Sequence, residues 1–454
     1  MNSMDANTDI TEILERKWAK LRAQIPYVFN NSDYFKERFR EAGVNDPRDI
    51  RTMDDFRNLP IMMDKTSHRQ SQLDSLERYG HPFGMHLCVP KEKIIHVAAT
   101  SGTTGHPTFY TYTRRDLEIT QKVFGNMFDV ATIRPRDTVY TAFGLSLWLA
   151  GVTFILGLEA YGATPIPVGA EAGPTKILQY LKLTRPRVLM GTPSLLTHLI
   201  ERAPAEIDCE VADLGIDVLF CSGEPGAGIP AVRERLMSAY GAMIYDVTGG
   251  AWHNGTVSCN CRDYHGMHQM GEDYSFRWDL IDPETKKPLP LSNGAIGEVV
   301  HTGLEYEAGP AFRYAIGDII RLHTGECPGC GRSGTRMEIL GRTDDILNLK
   351  GVKVYPASVK EVISEFQPDI SGQVQILLDA PPPRVEPPLQ VLVEAGETLG
   401  NADREALAKR IEDQVHNVLS IRARIKIVDF GSIGRSSLKT KLLVVLEPDN
   451  PDAR

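Results

Sequence analysis

Residues 99–108 read ATSGTTGHPT and follow a short apolar run at residues 94–99. Its central part, residues 100–105, combines four hydroxyl side chains and two glycines: Thr100, Ser101, Thr103, Thr104, Gly102 and Gly105. Glycine permits positive φ and close backbone approach, so N–H groups and hydroxyls can surround phosphate oxygens. The segment lacks the lysine of a Walker loop. We interpret it as a phosphate loop of another kind; an ordinary Ser/Thr/Gly turn is the alternative.

Two different patterns of predicted secondary structure occur along the chain. Between residues 94 and 250, short β-branched runs such as PRVLMGT and DVLFCSG alternate with helical patterns, which is typical of βαβ units around a parallel sheet. After residue 342, strand-like runs at 373–380, 389–395 and 423–430 surround a charged helical stretch at 402–419. We therefore predict an α/β fold with a large body of several subdomains (1–342) and a small α+β domain (343–454).

Composition narrows the class of protein. The 454 residues carry a formal charge of -9, which argues against a nucleic-acid partner. The most apolar stretch, residues 145–158, is shorter than the roughly 20 residues of a membrane-spanning helix, so we expect a buried helix there and no membrane partner. The amino terminus has neither a secretory nor a transit pattern, and we expect a cytoplasmic protein. Seven cysteines in such a protein favour free thiols or a metal site.

The sequence also resembles a known family. Residues 81–118, which include the loop, resemble the corresponding segment of phenylacetate–CoA ligases, a branch of the adenylate-forming superfamily. Further blocks follow in the family's order: CSGEPGAG (221–228), IYDVTGG (244–250), RYAIGD (313–318), GRTDD (341–345) and GRSSLKTK (434–441). The resemblance extends to about Lys441 and implies a large body with a mobile carboxy-terminal lid. It also implies ATP, Mg²⁺, coenzyme A and a small-molecule carboxylic acid as ligands.

The resemblance assigns nucleotide contacts to several positions. It places Gly223, Glu224 and Pro225 against adenine and Tyr245 in stacking contact with it, with Asp246 and Thr248 in the same nucleotide-binding segment. Asp318 matches the carboxylate that binds both ribose hydroxyls, and Arg342 matches an arginine that contacts ribose or phosphate. Taken singly, each residue would more often belong to a surface turn or a salt bridge, and it is their order along the chain that supports the nucleotide roles.

The lid residues follow from the same resemblance. Asp344 matches the hinge about which the lid turns. Lys439 matches the cation that stabilises charge at the α-phosphate, with Lys441 as the lesser candidate because Leu438 stands where the family has glycine. Gly351 would let the pantetheine arm of coenzyme A pass; a glycine in a hairpin is the alternative.

Three features depart from the family. Gly249 replaces the glutamate that holds Mg²⁺, so Glu272, Asp273, or phosphates with water would have to supply the ligands. His106 stands where the family commonly has lysine. Bulky Leu147, Trp148 and Leu149 fill a glycine-rich segment of the acyl pocket, whose expected walls are Phe143, Trp148, Gly223 and Tyr245; Trp148 could instead belong to the core.

Cysteines and a histidine suggest a metal centre. Cys327 and Cys330 form a C-P-G-C knuckle, and Cys259, Cys261 and His268 lie upstream. This ligand set and paired spacing predict a structural zinc site, with either Cys259 or Cys261 as the fourth ligand. Four reduced thiols without a metal are the alternative.

Together these features predict an aryl or arylacetic acid–CoA ligase that forms acyl-AMP and then acyl-CoA. Two alternatives remain: an adenylate-forming enzyme that transfers to an amine, a carrier protein or a hydroxylated cofactor, and a non-catalytic nucleotide-binding protein. A second copy of the chain, in a homodimer, is a candidate partner.

Overall fold

The computed structural model describes residues 10–100, 107–249, 251–434 and 441–446. Within them the helices are α1 (Ile10–Asn31), α2 (Asp33–Glu41), α3 (Met53–Arg57), α4 (Lys65–Tyr79), α5 (Arg114–Val130), α6 (Val152–Tyr161), α7 (Pro174–Thr184), α8 (Pro193–Ile207), α9 (Pro230–Tyr240), α10 (Pro356–Ser364) and α11 (Arg404–Leu419).

The strands in the same ranges are β1 (Met63–Asp64), β2 (His96–Thr100), β3 (Thr108–Tyr112), β4 (Thr138–Thr141), β5 (Thr164–Pro167), β6 (Val188–Gly191), β7 (Val218–Cys221), β8 (Met243–Gly249), β9 (Gly255–Ser258), β10 (Met267–Gln269), β11 (Ser275–Ile281), β12 (Ile296–Gly303), β13 (Tyr314–His323), β14 (Arg336–Arg342), β15 (Leu347–Leu349), β16 (Val352–Val354), β17 (Ile370–Leu378), β18 (Leu389–Ala395), β19 (Ala423–Val428) and β20 (Leu443–Val445).

One large mixed sheet runs through the body of the protein. Its strand order is β11-β12-β13-β14-β10-β9-β8-β7-β6-β4-β5, and β1 pairs with β13. Strands β4 to β8 pair in parallel and are connected by helices, which confirms the predicted α/β class and its βαβ units. Strand β8 joins this half to an antiparallel half: residues 243–246 pair with β7, and residues 247–249 pair with β9 in the opposite direction.

Helices cover both faces of the parallel half. Side chains alternate along each strand, so Leu219 and Ile244 enter a core under α7, α8 and α9, whereas Phe220 and Tyr245 enter a core under α5 and α6. A third core lies between α1, α2 and the antiparallel strands. Because both faces of the parallel strands are covered, their sequences are almost continuously apolar.

The carboxy-terminal unit has a core of its own. Its four-stranded sheet has the order β19-β18-β17-β20, and the buried apolar residues of its core lie between Leu347 and Ile425. This small α+β unit is as predicted, and a boundary near Arg342 stays a prediction. The unit touches the body where Lys353 pairs with Glu284 and where Arg235 donates to the backbone oxygen of Ser371.

The apolar stretch at 145–158 is only partly helical. Helix α6 begins at Val152, and residues 147–149 instead hydrogen-bond to β2: the Ala99 N–H donates to the Leu147 carbonyl (2.5 Å) and the Leu149 N–H to the Ala99 carbonyl (3.1 Å). The predicted buried helix is therefore confirmed only from Val152 onward, because the backbone before it hydrogen-bonds to the strand that leads into the phosphate loop. Among the described helices, none is long and apolar enough to cross a membrane.

A buried ion pair fastens helix α1 to the body. Lys17 and Glu272 are 2% and 6% exposed, and Lys17 Nζ lies 2.6 Å from Glu272 Oε2. The same ammonium donates to the backbone oxygens of Glu272 and Ser275. Burial lowers the pKa of Lys17, and the Glu272 carboxylate opposes that change. Each charge therefore depends on the other for its place in the interior.

We predict that Lys17→Met destabilises the protein by about 3–5 kcal/mol, because Glu272 is left buried without its cation. Lys20→Met is the matched control on the same helix: Lys20 pairs with Glu305, both about one-third exposed, and we expect its loss to cost about 0–1 kcal/mol. Urea unfolding followed by circular dichroism measures both. Equal effects of the two substitutions would contradict the assigned role of the buried pair.

Candidate functional site

The stem of the phosphate loop is a short hairpin. Strands β2 and β3 pair antiparallel with Thr100 opposite Thr108, so the two threonines flank the loop. Its inner residues Ser101, Gly102, Thr103, Thr104 and Gly105, together with His106, lie outside the described residues. The stem is held in place by residues 147–149, whose backbone pairs with Ala99. The predicted loop and the predicted acyl-pocket segment are therefore neighbours.

Trp148 also meets the segment after β7. A Cβ atom placed on Gly223 would lie 3.0 Å from the Trp148 ring, and Gly223 has φ +99°. Glycine is therefore required there both by its backbone conformation and by the indole above it. Phe143 packs edge-on against Trp148 at 5.3 Å, but it is 1% exposed and belongs to the core under α5 and α6. Phe143 thus lies behind Trp148 and is not itself an open wall.

Glu224, the residue after Gly223, faces two neighbours. Its carboxylate accepts a 2.7 Å hydrogen bond from the backbone N–H of Ser194, at the start of α8. Burial lowers the pKa of Lys360 on α10, and the negative charge of Glu224 counteracts this. The predicted adenine segment, here Gly223, Glu224 and the exposed Pro225, therefore lies beside the carboxy-terminal unit.

Tyr245 does not lie where the resemblance placed it. Its ring is 0% exposed within the core under α5 and α6, and its hydroxyl lies 3.3 Å from the Thr132 hydroxyl. The expected stacking on adenine, and the expected part of Tyr245 in the acyl pocket, are wrong for this arrangement because neither face of the ring is accessible. Strand alternation puts Asp246 on the opposite face of β8 instead.

Asp246 approaches the adenine segment directly. Its Oδ2 accepts a hydrogen bond from the Tyr264 hydroxyl (3.0 Å) and lies 3.1 Å from where a Cβ on Gly228 would be. Burial raises the pKa of Asp246 to about 6, and the hydrogen bond from Tyr264 opposes the rise. Thr248, two residues further on, accepts at its backbone oxygen from the Thr256 hydroxyl (3.2 Å).

The backbone explains why Gly249 replaces the family's glutamate. A Cβ atom on Gly249 would lie 2.6 Å from the backbone oxygen of Asn254 and 3.0 Å from Gly255 Cα. These are backbone atoms of a paired strand, so they cannot move aside cheaply. Glu272 cannot take the missing carboxylate's place either, because it is buried in the ion pair with Lys17. The expectation that Glu272 could hold Mg²⁺ is therefore wrong.

A charged network joins the predicted ribose and hinge residues. Asp318 lies opposite Arg342 across β13 and β14, and Arg342 Nη1 donates to Asp318 Oδ1 at 2.8 Å. Arg342 Nε donates to Asp344 Oδ1, also at 2.8 Å. Burial would lower the pKa of Arg342, but the two carboxylates raise it above its usual value. Asp318 keeps 15% of its side chain exposed, so it can still accept from a ligand.

Sequence reasoning missed several residues of this region. Arg277, 8% exposed, lies 3.5 Å from Asp318 Oδ2. Tyr110 hydrogen-bonds to Thr100; burial raises the pKa of its hydroxyl to about 12, and Thr100, Arg342 and Arg69 oppose the rise. No motif marks these residues. Tyr110 contacts the loop stem, and its hydroxyl also feels the charges of Arg342 and Asp318.

Four predicted metal ligands converge. One ligand atom from each of Cys259, His268, Cys327 and Cys330 lies within 4.8 Å of the others. The Cys259 and Cys327 sulfurs are 3.9 Å apart, and Cys330 Sγ is 3.4 Å from His268 Nε2. A tetrahedral zinc with Zn–S bonds of about 2.3 Å separates its sulfurs by about 3.8 Å, so this geometry fits.

Cys261 lies just outside this group. Its sulfur is 3.1 Å from that of Cys259 and packs against Gly329, in the knuckle between Cys327 and Cys330. The sequence left Cys259 and Cys261 as equal candidates, and the geometry favours Cys259. Burial lowers the pKa of His268 to about 3, so its imidazole is neutral, as a metal ligand requires.

The lid residues are only partly described. Lys439 lies outside the described residues, and Lys441 is exposed. Gly351, with φ +96°, lies in the exposed turn between β15 and β16, where its N–H donates to Asn348 Oδ1. Their roles stay predictions.

We predict that Gly223→Ala lowers the thermal midpoint and alters the Trp fluorescence by more than the backbone cost of its positive φ would cause. Gly215→Ala is the matched control, because Gly215 has φ +74° but no atom within 4 Å of the added methyl group. Both substitutions carry a backbone cost of about 1–2 kcal/mol, and only Gly223→Ala displaces the Trp148 indole. Thermal unfolding and Trp fluorescence compare the two; an identical response would contradict the Trp148–Gly223 contact.

Comparison with known proteins is consistent with these features. The family model for the AMP-binding enzyme C-terminal domain matches residues 351–445. The phenylacetate–coenzyme A ligase of Thermus thermophilus is 31% identical over 414 residues, which cover 89% of this chain and 87% of that enzyme. The phenylacetate–coenzyme A ligase of Escherichia coli is 28% identical over 439 residues, covering 95% and 94%.

Solved structures add information about conformation. 2-Hydroxyisobutyryl-CoA ligase in its postadenylation state, in complex with 2-HIB-AMP, matches with a TM-score of 0.84 at 28% identity, covering 98% of this chain and 90% of that one. The same ligase with 2-HIB-AMP and CoA in the thioesterification state matches with a TM-score of 0.68, covering 96% and 90%. Motif order, fold and whole-chain similarity agree: the chain belongs to the phenylacetate–CoA ligase-like branch of the adenylate-forming superfamily.

Proposed function

We propose that this protein is an ATP-dependent acid–CoA ligase that works through an acyl-adenylate. In the first half-reaction a carboxylate oxygen attacks the α-phosphorus of ATP, and pyrophosphate leaves. In the second, the CoA thiolate attacks the acyl carbonyl carbon, and AMP leaves with the electrons of the broken C–O bond. The observation that carries the proposal is that Trp148 joins the loop stem to Gly223, in a chain related to such ligases over nearly its whole length.

The nucleotide would be held by groups already in place. Asp318 is oriented by Arg342 and Arg277, and its remaining acceptor capacity suits the two ribose hydroxyls. Gly223, Gly228 and Asp246 would form the wall beside adenine, a role that Tyr245 cannot take in this arrangement. Trp148 above Gly223 would separate the adenine and acyl regions.

The position of the carboxy-terminal unit supports a first-half-reaction arrangement. The structure resembles the postadenylation state of 2-hydroxyisobutyryl-CoA ligase more closely than its thioesterification state, at equal sequence identity. Asp344, tied to Arg342 at the proposed boundary, would be the hinge. Contacts such as Lys353–Glu284 would then break when the lid turns and brings Gly351 toward the pantetheine arm.

Lys439 is the proposed cation at the α-phosphate. We predict that Lys439→Ala reduces acid-dependent pyrophosphate release by about 100-fold or more, the size expected when one charge-stabilising donor is lost from a transition state. Thioester formation from synthetic acyl-adenylate and CoA should be retained, because that step does not need this cation. Lys441→Ala is the control and should retain adenylation. If Lys441→Ala is the inactive variant, the assignment belongs to Lys441.

An aryl or arylacetic acid is the proposed substrate class. The support is Trp148, a half-buried aromatic face beside the loop stem, with Leu147 51% exposed next to it. The test is a pyrophosphate-release screen of benzoates, arylacetates, fused-ring acids and small branched hydroxy acids, each with and without CoA. We expect turnover with aromatic acids and AMP release that depends on CoA; turnover with branched hydroxy acids alone would contradict the aromatic assignment.

Mg²⁺ would be held mainly by the triphosphate and water. Gly249 offers no carboxylate, and the backbone of Asn254 occupies the space that a side chain would need. Mg²⁺ commonly keeps several waters and takes its other ligands from substrate phosphates, so such a site is chemically reasonable.

Zn²⁺ is the proposed occupant of the Cys259–His268–Cys327–Cys330 site. The support is the mutual distance of the four ligand atoms and the three-sulfur, one-nitrogen donor set. The site joins the loop after β9, strand β10 and the knuckle before β14, so its role is structural.

We predict about one zinc per chain by elemental analysis, a stoichiometry expected of a closed four-ligand site. Cys327→Ser should lose the metal and lower the thermal midpoint, because structural zinc contributes directly to folding free energy. Cys209→Ser, which alters a cysteine outside the group, is the control and should keep the metal. Freshly purified wild type without zinc would contradict the site.

A non-catalytic nucleotide-binding protein is the second candidate, and Gly249 is the observation that favours it. The screen decides: nucleotide binding without turnover across the acid panel would support this candidate. AMP release that requires an amine, a carrier protein or a hydroxylated cofactor in place of CoA would instead identify a different acceptor.

A further inference from the structure

Helix α4 is docked against the strand that leaves the phosphate loop. The side-chain amide of Gln72 binds both backbone polar groups of Phe109. Gln72 Nε2 donates to the Phe109 carbonyl oxygen (2.8 Å), and the Phe109 N–H donates to Gln72 Oε1 (3.2 Å). One turn earlier, Arg69 Nε lies 3.3 Å from the Thr108 hydroxyl. These contacts fix Arg69 at the foot of the loop.

The surroundings of Arg69 belong to the proposed nucleotide site. Thr108 pairs with Thr100 across the hairpin, and Tyr110, two residues along β3, hydrogen-bonds to Thr100. The positive charges of Arg342 and Arg69 both act on the Tyr110 hydroxyl, whose pKa burial raises. Arg69 therefore lies near the same hydroxyl as Arg342, on the side of the hairpin that α4 covers.

Arg69 differs from its neighbours in having no anion. Arg342 binds two carboxylates, and Arg277 lies 3.5 Å from one. No ion pair joins Arg69 to a carboxylate in the described ranges, and its Nη2 is buried without a hydrogen-bond partner. A buried guanidinium nitrogen without an acceptor is costly, and an anion that accepts from Nη2 would remove that cost.

The loop itself needs a cation from elsewhere. Residues 99–108 contain no lysine or arginine, and Gly249 removes the carboxylate that the family uses to hold Mg²⁺. ATP brings several negative charges to this place, and in phosphoryl transfer such charge is normally offset by fixed cations and metal ions. An arginine is suited to this because its fork can bind two phosphate oxygens at once.

We propose that Arg69 binds the β- or γ-phosphate of ATP and so stabilises the pyrophosphate leaving group, in place of the cation that the loop lacks. This inference rests on the proposed function only in taking ATP as a ligand. Coenzyme A also carries phosphates, but the position of Arg69 at the foot of the loop favours ATP.

The test is equilibrium binding without acid, so that no turnover occurs. Titration calorimetry with ATP and Mg²⁺, with AMP, and with CoA compares wild type, Arg69→Gln and Arg69→Lys. We expect Arg69→Gln to weaken ATP about 10- to 100-fold, as for the loss of charge-assisted hydrogen bonds, and to leave AMP and CoA unchanged. Arg69→Lys should be intermediate, because it keeps the charge and loses the fork.

Arg78→Gln is the matched control: it removes an exposed arginine from the last turn of the same helix and should leave all three affinities unchanged. Arg69→Gln should melt close to wild type without ligand, since it removes a charge that no described carboxylate balances and only one long hydrogen bond, to Thr108. Equal losses of ATP and AMP would show a structural role and overturn the inference, as would loss of CoA alone, no loss of any ligand, or a wild type that does not bind ATP. An inactive acid screen with selective loss of ATP would overturn the proposed function and support Arg69.

Discussion

Strand β8 is the constraint on which the site depends, because it joins the parallel and antiparallel halves of the large sheet. Its first residues continue the parallel half, and its last three turn the sheet into the antiparallel half that carries Asp318 and Arg342. The change of direction happens within seven residues and requires β9 to return at close range. Gly249 and Gly255 pair where the two backbones approach, and a side chain on Gly249 would meet the Asn254 backbone. The loss of the family's glutamate is thus built into the local fold.

This geometry leaves the site with an unusual distribution of charge. Arg342 is shared by Asp318 and Asp344, so its positive charge is largely balanced by these two carboxylates. Glu272 is committed to Lys17 and serves the docking of α1. Arg69 is the group near the loop stem whose charge has no carboxylate among the residues described. A bound nucleotide would therefore have the Asp318 carboxylate beside its ribose and the Arg69 guanidinium beside its phosphates.

Much of the fold could be predicted because its chemistry is local. Few structures other than buried strands and an amphipathic helix fit the apolar runs of β6 and β7 and the pattern after Gly228. The change of pattern after residue 342 likewise indicates a separate core. The spacing of Cys327 and Cys330 likewise defines a knuckle before any contact is known. The stretch at 145–158 is predicted to be helical because its apolar residues fit a helix, yet only the part from Val152 is one. The bridge between Ala99 and Trp148 takes residues 147–149 out of the helix.

The sequence by itself determined the family, the order of the site motifs along the chain and the chemical types of the side chains in them, since these follow from residue identity and spacing. The tertiary structure decided which face each residue presents and which distant residues meet. Tyr245 and Asp246 are adjacent in β8, yet alternation buries one and brings the other to Gly228. Cys259 and Cys261 are equivalent in the sequence, yet only Cys259 comes within reach of all three partners. Arg69 carries no motif at all, and the burial of its Nη2 without a hydrogen-bond partner among the described residues is visible only in the folded chain.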